Sequence, residues 1–279
     1  MKTLTANAYA KVNLTLDVFP KGEDGYHELR SIMQTVSLCD EITVILSSEK
    51  KDITSDATLA GIENDICVRT AKAFCDAFLS KPLGIHIGIK KNIPISAGLG
   101  GGSSDGAAVI KLLAREFGIE DKQKLIEISR KIGSDLPFFL EGGMALIEGT
   151  GEKITPLPYR LEKKLLLVKP EQGTSAGGVY GIFDSLLERE PHTTDKLLSA
   201  LSCGKFDHSL LSNNLQRAAI KAAPQSGEIL RRMTELGAEK ALVSGSGSTV
   251  MGFFADDAIE AAAKELSTYG FCELCQFVY

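Results

Sequence analysis

The chain has no surplus of basic residues: 31 Lys and Arg stand against 36 Asp and Glu, a formal net charge of −5. That removes the broad positive field on which nucleic-acid binding depends, so no nucleic-acid partner is expected. An anionic ligand has to be caught by local donors such as loops, helix ends and a few lysines. No apolar run approaches the length of a membrane-spanning helix, so no membrane partner is expected. Lys2 is followed by alternating polar and apolar residues rather than an apolar core, so no secretory leader is expected either, and the expected location is cytoplasmic. Low-complexity segments and internal repeats are also missing. The six cysteines lie scattered, mostly inside apolar runs, and read as reduced core residues. Cys272 and Cys275 form a C-x-x-C within a segment that reads as a strand, where positions three apart face opposite sides. No second pair exists to complete a zinc site. What remains is a chain of 279 residues, 44% hydrophobic and 24% charged, of ordinary globular composition and long enough for one large domain or two modest ones.

The most informative stretch is residues 94 to 106, Pro-Ile-Ser-Ala-Gly-Leu-Gly-Gly-Gly-Ser-Ser-Asp-Gly, with an apolar helix pattern directly behind it. Gly98, Gly100, Gly101 and Gly102 lack Cβ atoms, so the backbone can turn tightly and its N–H groups can converge on an anion. Ser103 and Ser104 then stand where the helix starts, at the positive end of its dipole, a natural place for a polyphosphate. No Lys precedes either serine, which excludes a Walker loop, and Ser103 occupies the place of the third glycine of a dinucleotide fingerprint. A serine-capped surface turn is the plainer reading. Four glycines in five positions cost roughly 0.5–1 kcal/mol each relative to Ala, which weighs against it.

Residues 2–19 alternate as two strands, the second from Lys11 to Phe19, and further strands are expected at 29–38 and 42–47 with a turn at 39–41. Helical spacing runs from 66 to 80, a strand from Leu83 to Lys90 feeds the glycine loop, and another helix follows at about 121–131. Lys153 to Lys164, with Pro156 and Pro158, has linker character, dividing the chain into domains 1–155 and 156–279. Beyond it come a strand at 165–168, helices near 176–187, 213–223 and 226–236, and strands at 240–243 and 250–255. A helix at 257–267 and a last strand complete the order. Mixed elements in both halves point to an α+β class with helices against largely antiparallel sheets.

The segment P-x-x-x-G-L-G-G-G-S-S-[DN] resembles the phosphate loop of the GHMP kinases, which include galactokinase, homoserine kinase and mevalonate kinase. The resemblance recurs in order along nearly the whole chain: Ala8-Tyr-Ala-Lys-Val-Asn-Leu14, Gly25-Tyr-His-Glu28, the loop, Ile132-Gly-Ser-Asp-Leu-Pro-Phe-Phe139, Lys169-Pro to Val179-Tyr180, and Val243-Ser-Gly-Ser-Gly-Ser-Thr249. It implies a two-domain fold, the N-terminal part like ribosomal protein S5 domain 2 and the C-terminal part ferredoxin-like. It also implies ATP and Mg²⁺ as cofactors. The G-Y-H-E signature and the triple glycine followed by Ser-Ser-Asp are similar to the branch whose small-molecule substrate carries a cytidine diphosphate group. The implied reaction there is ATP-dependent phosphorylation of the 2-hydroxyl of 4-diphosphocytidyl-2-C-methyl-D-erythritol.

Asp135 is the best candidate base, since Leu136, Pro137, Phe138 and Phe139 beside it are apolar and place its carboxylate at a water-poor edge; closing a helix and starting a turn is an equal reading from the residues alone. The resemblance implies that Asp135 accepts the substrate hydroxyl proton. On alternation, Tyr9, Lys11 and Asn13 share one strand face; the resemblance makes Lys11 the charge that activates the hydroxyl and Asn13 a substrate contact. It assigns Pro94, Gly98, Leu99, Gly100, Gly101, Gly102, Ser103 and Ser104 to ATP, with Lys91 on the adenine side. Tyr26 and Tyr180 would offer aromatic faces to cytosine, and His27 a hydrogen-bonding edge. Two positions depart from the family pattern: Ala176, where Thr is common, and Asp65 after Asn64, where Asn is. Metal ligands are not legible, Ser104 being the nearest, and the oligomeric state is left as monomer or homodimer. A different GHMP kinase, or a non-catalytic nucleotide- or RNA-binding protein on the same fold, are the alternatives; the acidic balance and the presence of Lys11 and Asp135 oppose the second.

Overall fold

A computed structural model describes residues 1–23, 25–48, 51–56, 65–186 and 191–279. The chain forms two compact units that interleave in sequence. One comprises Met1–Ala10, Cys39–Ile93 and Gly100–Gly142; the other comprises Lys11–Leu38, Pro94–Leu99 and Gly143–Tyr279.

In the first unit the sheet has the order β3(Ile53–Ser55), β4(Gly84–Lys90), β2(His27–Ser47) and β1(Lys2–Lys21), the last two strands being long enough to contribute to both units. β4 runs antiparallel to β2, Glu41 opposite Lys90 and Ser47 opposite Gly84, and parallel to β3. Helices α1(Ile66–Phe78), α2(Gly101–Phe117), α3(Lys122–Arg130) and α4(Leu136–Glu141) complete it. The Asp65 carboxylate caps α1 by accepting from Cys67 N and Val68 N. α2 ends on Gly118 in the left-handed region (φ 65°), its N–H donating to Ala114 O. Phe74, Ile110, Leu113, Leu136 and Phe138 are fully buried between them.

β1 and β2 are each continuous, where two strands apiece were expected. The expected turn at Cys39–Glu41 lies inside β2. Asp40 is the reason the pattern misleads: a fully buried carboxylate in mid-strand, it accepts from Asn92 N (2.6 Å), Ile93 N (2.8 Å) and the Lys91 ammonium. With both oxygens hydrogen-bonded and a cation beside one of them, the charge need not reach water.

In the second unit β5(Met144–Gly149) pairs antiparallel with Leu29–Gln34 of β2, and β6(Lys153–Pro156) with β5. The stretch expected as a linker therefore begins with a strand. β7(Lys164–Pro170), β9(Lys240–Val243), β10(Val250–Phe253) and β11(Gly270–Gln276) make an antiparallel sheet in the order β11-β7-β10-β9. β8(Ser212–Asn213) joins β1 in parallel, Thr15 opposite Ser212. The helices are α5(Ala176–Asp184), α6(Thr194–Ser202), α7(Gln216–Ala222), α8(Pro224–Glu235) and α9(Ile259–Leu266). Leu166, Val168, Val179, Phe183, Leu215, Ile229, Met233 and Val243 form their common core. α6, unforeseen from sequence, is held by the buried Asp17, which accepts from Thr193 N and Thr194 N (both 3.0 Å). Cys272 and Cys275 lie on β11, the last strand expected from the sequence. Asn64 and position 187, the expected end of α5, lie outside the described residues.

Candidate active site

In the second unit three distant sequence segments meet at one glycine. Lys11 and Asn13 alternate onto one face of β1, and the Lys11 ammonium donates to Asn13 Oδ1 (2.7 Å). Asn13 in turn donates to Ser31 Oγ (2.8 Å), so its amide is held from behind. A Cβ at Gly245 would lie 3.2 Å from Asn13 Oδ1, 3.2 Å from Gly98 O and 3.4 Å from the Lys11 ammonium. Gly245 (φ 57°) is therefore the place where β1, the glycine loop and the turn after β9 come together.

That turn, Ser244–Thr249, is fixed by side chains that the sequence reading did not single out. Asn213, buried on β8, donates to both Val243 O (2.8 Å) and Gly245 O (2.7 Å). Thr174 Oγ1 donates to Ser246 O, and Ser226 Oγ to Ser248 O. The only sequence signal was the polar pair Asn213-Asn214 behind an apolar Leu210-Leu211. The loop rests directly on this turn: Ser244 Oγ donates to Gly98 O (3.2 Å), Thr249 N to Ala97 O, and Lys11 N to Leu99 O (3.0 Å). At Gly98 (φ 74°) a Cβ would come within 2.2 Å of Ser244 O and 2.9 Å of Gly247 N, so only glycine fits.

In the first unit α2 begins at Gly101, with Gly100 (φ 71°) as its left-handed N-cap. Ser103 and Ser104 thus lie within the first turn, two residues further in than expected, because Gly101 and Gly102 are themselves helical. Ser104 N already donates to Gly100 O (2.9 Å). Helix geometry leaves the N–H groups of Gly101, Gly102 and Ser103 without intrahelical acceptors, aimed outward with the positive end of the dipole. The Ser104 hydroxyl donates to Tyr9 O (2.6 Å). A Cβ at Gly101 would meet Ile93 Cγ2 at 3.0 Å and the Lys91 ammonium at 3.3 Å, whereas one at Gly102 would meet only Ile66 Cγ2 at 3.6 Å.

Lys91 is held from two sides: its ammonium donates to Asp40 Oδ2 (2.5 Å) and Asp105 Oδ2 (2.8 Å). Burial works against the lysine charge, yet the two carboxylates outweigh it and hold Lys91 above the ordinary lysine value. Burial pushes the Asp105 carboxyl up to about 7; Lys91 pulls the other way, and Asp40 adds to the rise. Asp65 uses one oxygen as a helix cap, while its Oδ2 is buried without a hydrogen bond. Asp135, half-buried, stands at the N-cap of α4 ahead of the buried Leu136, Pro137, Phe138 and Phe139. Those four anchors fix the backbone that carries its carboxylate.

His27 and Tyr180, 153 positions apart in sequence, have ring centroids 5.2 Å from each other in the second unit, tilted by 34°. Tyr26, next to His27, is 68% exposed at the end of the β1–β2 hairpin, where Gly22 N donates to Tyr26 O. Ala176 is exposed in the first turn of α5, and the nearby Thr174 hydroxyl is spent on Ser246 O. Among the described residues no group of three or more His, Cys, Asp or Glu is arranged to hold a metal, and no helix is long and apolar enough to cross a membrane.

Known proteins resemble this chain in sequence and fold. The family profile described as GHMP kinases N terminal domain matches residues 65–143, and that described as GHMP kinases C terminal matches residues 196–271. A 4-diphosphocytidyl-2-C-methyl-D-erythritol kinase of Caldicellulosiruptor saccharolyticus is 40% identical over 92% of this chain and 91% of its own length. Another, of Pelobacter propionicus, is 40% identical over 95% of both. The crystal structure of a 4-(cytidine 5'-diphospho)-2C-methyl-D-erythritol kinase superposes with a TM-score of 0.83 at 30% identity, covering 99% of this chain and 100% of that one. A homoserine kinase of Cytophaga hutchinsonii, at a TM-score of 0.75 and 16% identity, shares the fold. With relatives this similar over nine-tenths of its length, and with both family profiles in order, the chain belongs to the GHMP kinases, in the branch of the 4-diphosphocytidyl-2-C-methyl-D-erythritol kinases.

Proposed function

We propose that the chain transfers the γ-phosphoryl group of ATP to the 2-hydroxyl of 4-diphosphocytidyl-2-C-methyl-D-erythritol, with Asp135 as base and Lys11 as the charge beside the reacting oxygen. The observation that carries this reading is the meeting of Lys11, Asn13, the Gly98 carbonyl and the Ser244–Thr249 turn at Gly245, three motifs of one kinase family in a single cluster. The substrate comes from the relatives, whose names specify it.

Phosphoryl transfer asks a protein mainly for positioning and for stabilisation of charge. Residues Gly98 to Ser104 take the ATP phosphates, with the first N–H groups of α2 as donors. Asp135 receives the hydroxyl proton, and Lys11, oriented by Asn13, stabilises the developing alkoxide. Tyr26 and Tyr180 take the cytosine. Lys91 serves the loop by bracing Asp40 and Asp105 rather than by offering a spare charge to ATP. Magnesium, when bound, neutralises charge on the phosphate oxygens. Ser104 would be the nearest residue to hold it, since its proton is committed to Tyr9 O and its oxygen is left as an acceptor. With few protein ligands on offer, most of the coordination falls to phosphate and water. The domain division at 155/156 belongs to the same reading, the two profile matches falling on either side of it, as does a cytoplasmic location.

The test is ATP consumption by the purified protein with and without the cytidyl substrate, followed by phosphorus NMR of the product. Turnover that depends on the cytidyl compound and yields a new phosphomonoester is the expected result. Equal turnover with homoserine or mevalonate in its place would overturn the substrate assignment.

A further inference from the structure

Ser31 belongs to none of the family motifs, yet it stands directly behind two residues of the candidate site. It is fully buried on β2, between β1 on one side and β5 on the other, where it pairs with Ile147. Its hydroxyl has one proton to give. Thr15 O lies 2.5 Å away and, as a carbonyl, can only accept, so the proton goes there. Thr15 is a firm anchor: its own hydroxyl oxygen accepts from Ile32 N (3.1 Å) and from the Thr194 hydroxyl (2.9 Å). Toward Asn13 the Ser31 oxygen is left as an acceptor, and it takes an N–H from Asn13 Nδ2 at 2.8 Å.

That commitment decides which end of the Asn13 amide faces the site. With its nitrogen toward Ser31, the amide turns Oδ1 the other way, 2.7 Å from the Lys11 ammonium, which can only donate. Turned over, the amide would set two donors against each other at Lys11 and two acceptors at Ser31. Asn13 is 1% exposed and Lys11 4%, so bulk water is not at hand to repair either contact. The direction of the Lys11 ammonium therefore depends on where the Ser31 proton goes.

We propose that Ser31 is a positioning residue for phosphoryl transfer: by donating to Thr15 O and accepting from Asn13, it turns the Asn13 oxygen toward the Lys11 ammonium and so aims that charge at the reacting hydroxyl. The role rests on the reading of Lys11 given above. Ser31 touches no substrate and acts through Asn13 alone.

The purified Ser31→Ala enzyme, assayed well below its Tm, should show kcat lowered about tenfold, the weight of one hydrogen bond. Its KM values for ATP and for the cytidyl substrate should stay within about twofold, since an interaction that matters only in the transition state moves kcat alone. Its Tm falls too, because the Asn13 N–H is left buried without its acceptor; a merely structural serine would lower Tm and spare kcat. Ser31→Thr keeps the hydroxyl and should recover most of kcat. In an Asn13→Ala background Ser31→Ala should lower kcat no further, since the two act in series. Should Ser31→Ala not fold, Ser31→Cys carries the test, its thiol being a weaker donor and acceptor, with kcat expected between those of parent and Asn13→Ala. Full additivity with Asn13→Ala, or a parental kcat in the folded Ser31 variants while Lys11→Met is impaired, overturns the role of Ser31 alone. If Lys11→Met turns over as the parent does, the reading of Lys11 has failed, and the role of Ser31 with it.

Discussion

Replacing Gly98 by alanine puts the loop's seating on the Ser244–Thr249 turn under direct test. The backbone at Gly98 has φ 74°, which costs an alanine about 1–2 kcal/mol. The new Cβ would stand 2.2 Å from Ser244 O and 2.9 Å from Gly247 N and O, all backbone atoms that cannot swing aside. Loop and turn must part by about 1 Å to restore van der Waals contact, an overpacking that costs about 1–3 kcal/mol more. Together these lower Tm by roughly 5–15 °C in a chain of this size. A displacement of that order near the phosphates should reduce kcat/KM for ATP about 100-fold. Gly102→Ala is the counterpart: its Cβ meets only Ile66 Cγ2, at an ordinary 3.6 Å, and its backbone is helical. Its Tm should match the parent, so any loss of ATP affinity in that variant reports on the ligand rather than on the fold. Differential scanning calorimetry and steady-state kinetics with varied ATP measure both quantities. A Gly98→Ala protein with parental Tm and ATP kinetics, or a Gly102→Ala protein just as unstable, would refute the reasoning.

Asp135→Asn should leave both substrates binding while turnover falls about 10²–10⁴-fold, the worth of a general base; near-normal turnover in the folded variant removes Asp135 from the mechanism. Tyr26→Ala should raise the KM for the cytidyl substrate about 5- to 150-fold, from roughly 1–3 kcal/mol of stacking per base, with the KM for ATP unmoved. Gly181→Ala, inside α5 with nothing within 4 Å of the new Cβ, should stabilise the protein by roughly 0.5–1 kcal/mol; a fall in Tm would count against the helical assignment there. Asp105, raised from 3.8 to about 7, holds in the folded state a proton that the unfolded chain releases, so its contribution to stability falls as pH rises through that window. Asp105→Asn should therefore gain on the parent between pH 5 and pH 8 by at least roughly 2–4 °C in Tm, and a difference that is flat in pH would contradict the buried proton.

Much of this site could be read from the sequence wherever the signal was local. Alternation put Lys11 and Asn13 on one face, and the 2.7 Å contact between them follows from it. The density of glycines marked the loop, although the helix began two residues earlier than the serines suggested, because glycine in a first helical turn leaves no apolar trace. What escaped were residues that act over long sequence separations on backbone groups. Asn213 grips the carbonyls of Val243 and Gly245, and Asp17 caps a helix 176 residues away. No periodicity announces such contacts. Asp40 misled for a related reason: a charge at mid-strand reads as a turn until its donors, Asn92 and Ile93, are known. His27 was legible as part of a motif, but its partners Phe19 O and Asp184 were not, since they come from elsewhere in the chain.

The interleaving of the two units sets a timetable for synthesis. β1 leaves the ribosome ahead of the other described strands, yet its residues from Lys11 onward belong with a unit that beyond Leu38 draws only on Pro94–Leu99 and Gly143–Tyr279. Thr15 pairs with Ser212, so that edge of the nascent strand has to wait for nearly two hundred further residues. At about 5–20 residues per second the wait is roughly 10–40 s. For that interval Val12, Leu14 and Leu16, all buried in the finished protein, lack their final cover. A polypeptide stalled or cleaved near residue 142 would carry the whole first unit and only the orphaned strands of the second, and would be a substrate for chaperones and proteases rather than a separable domain.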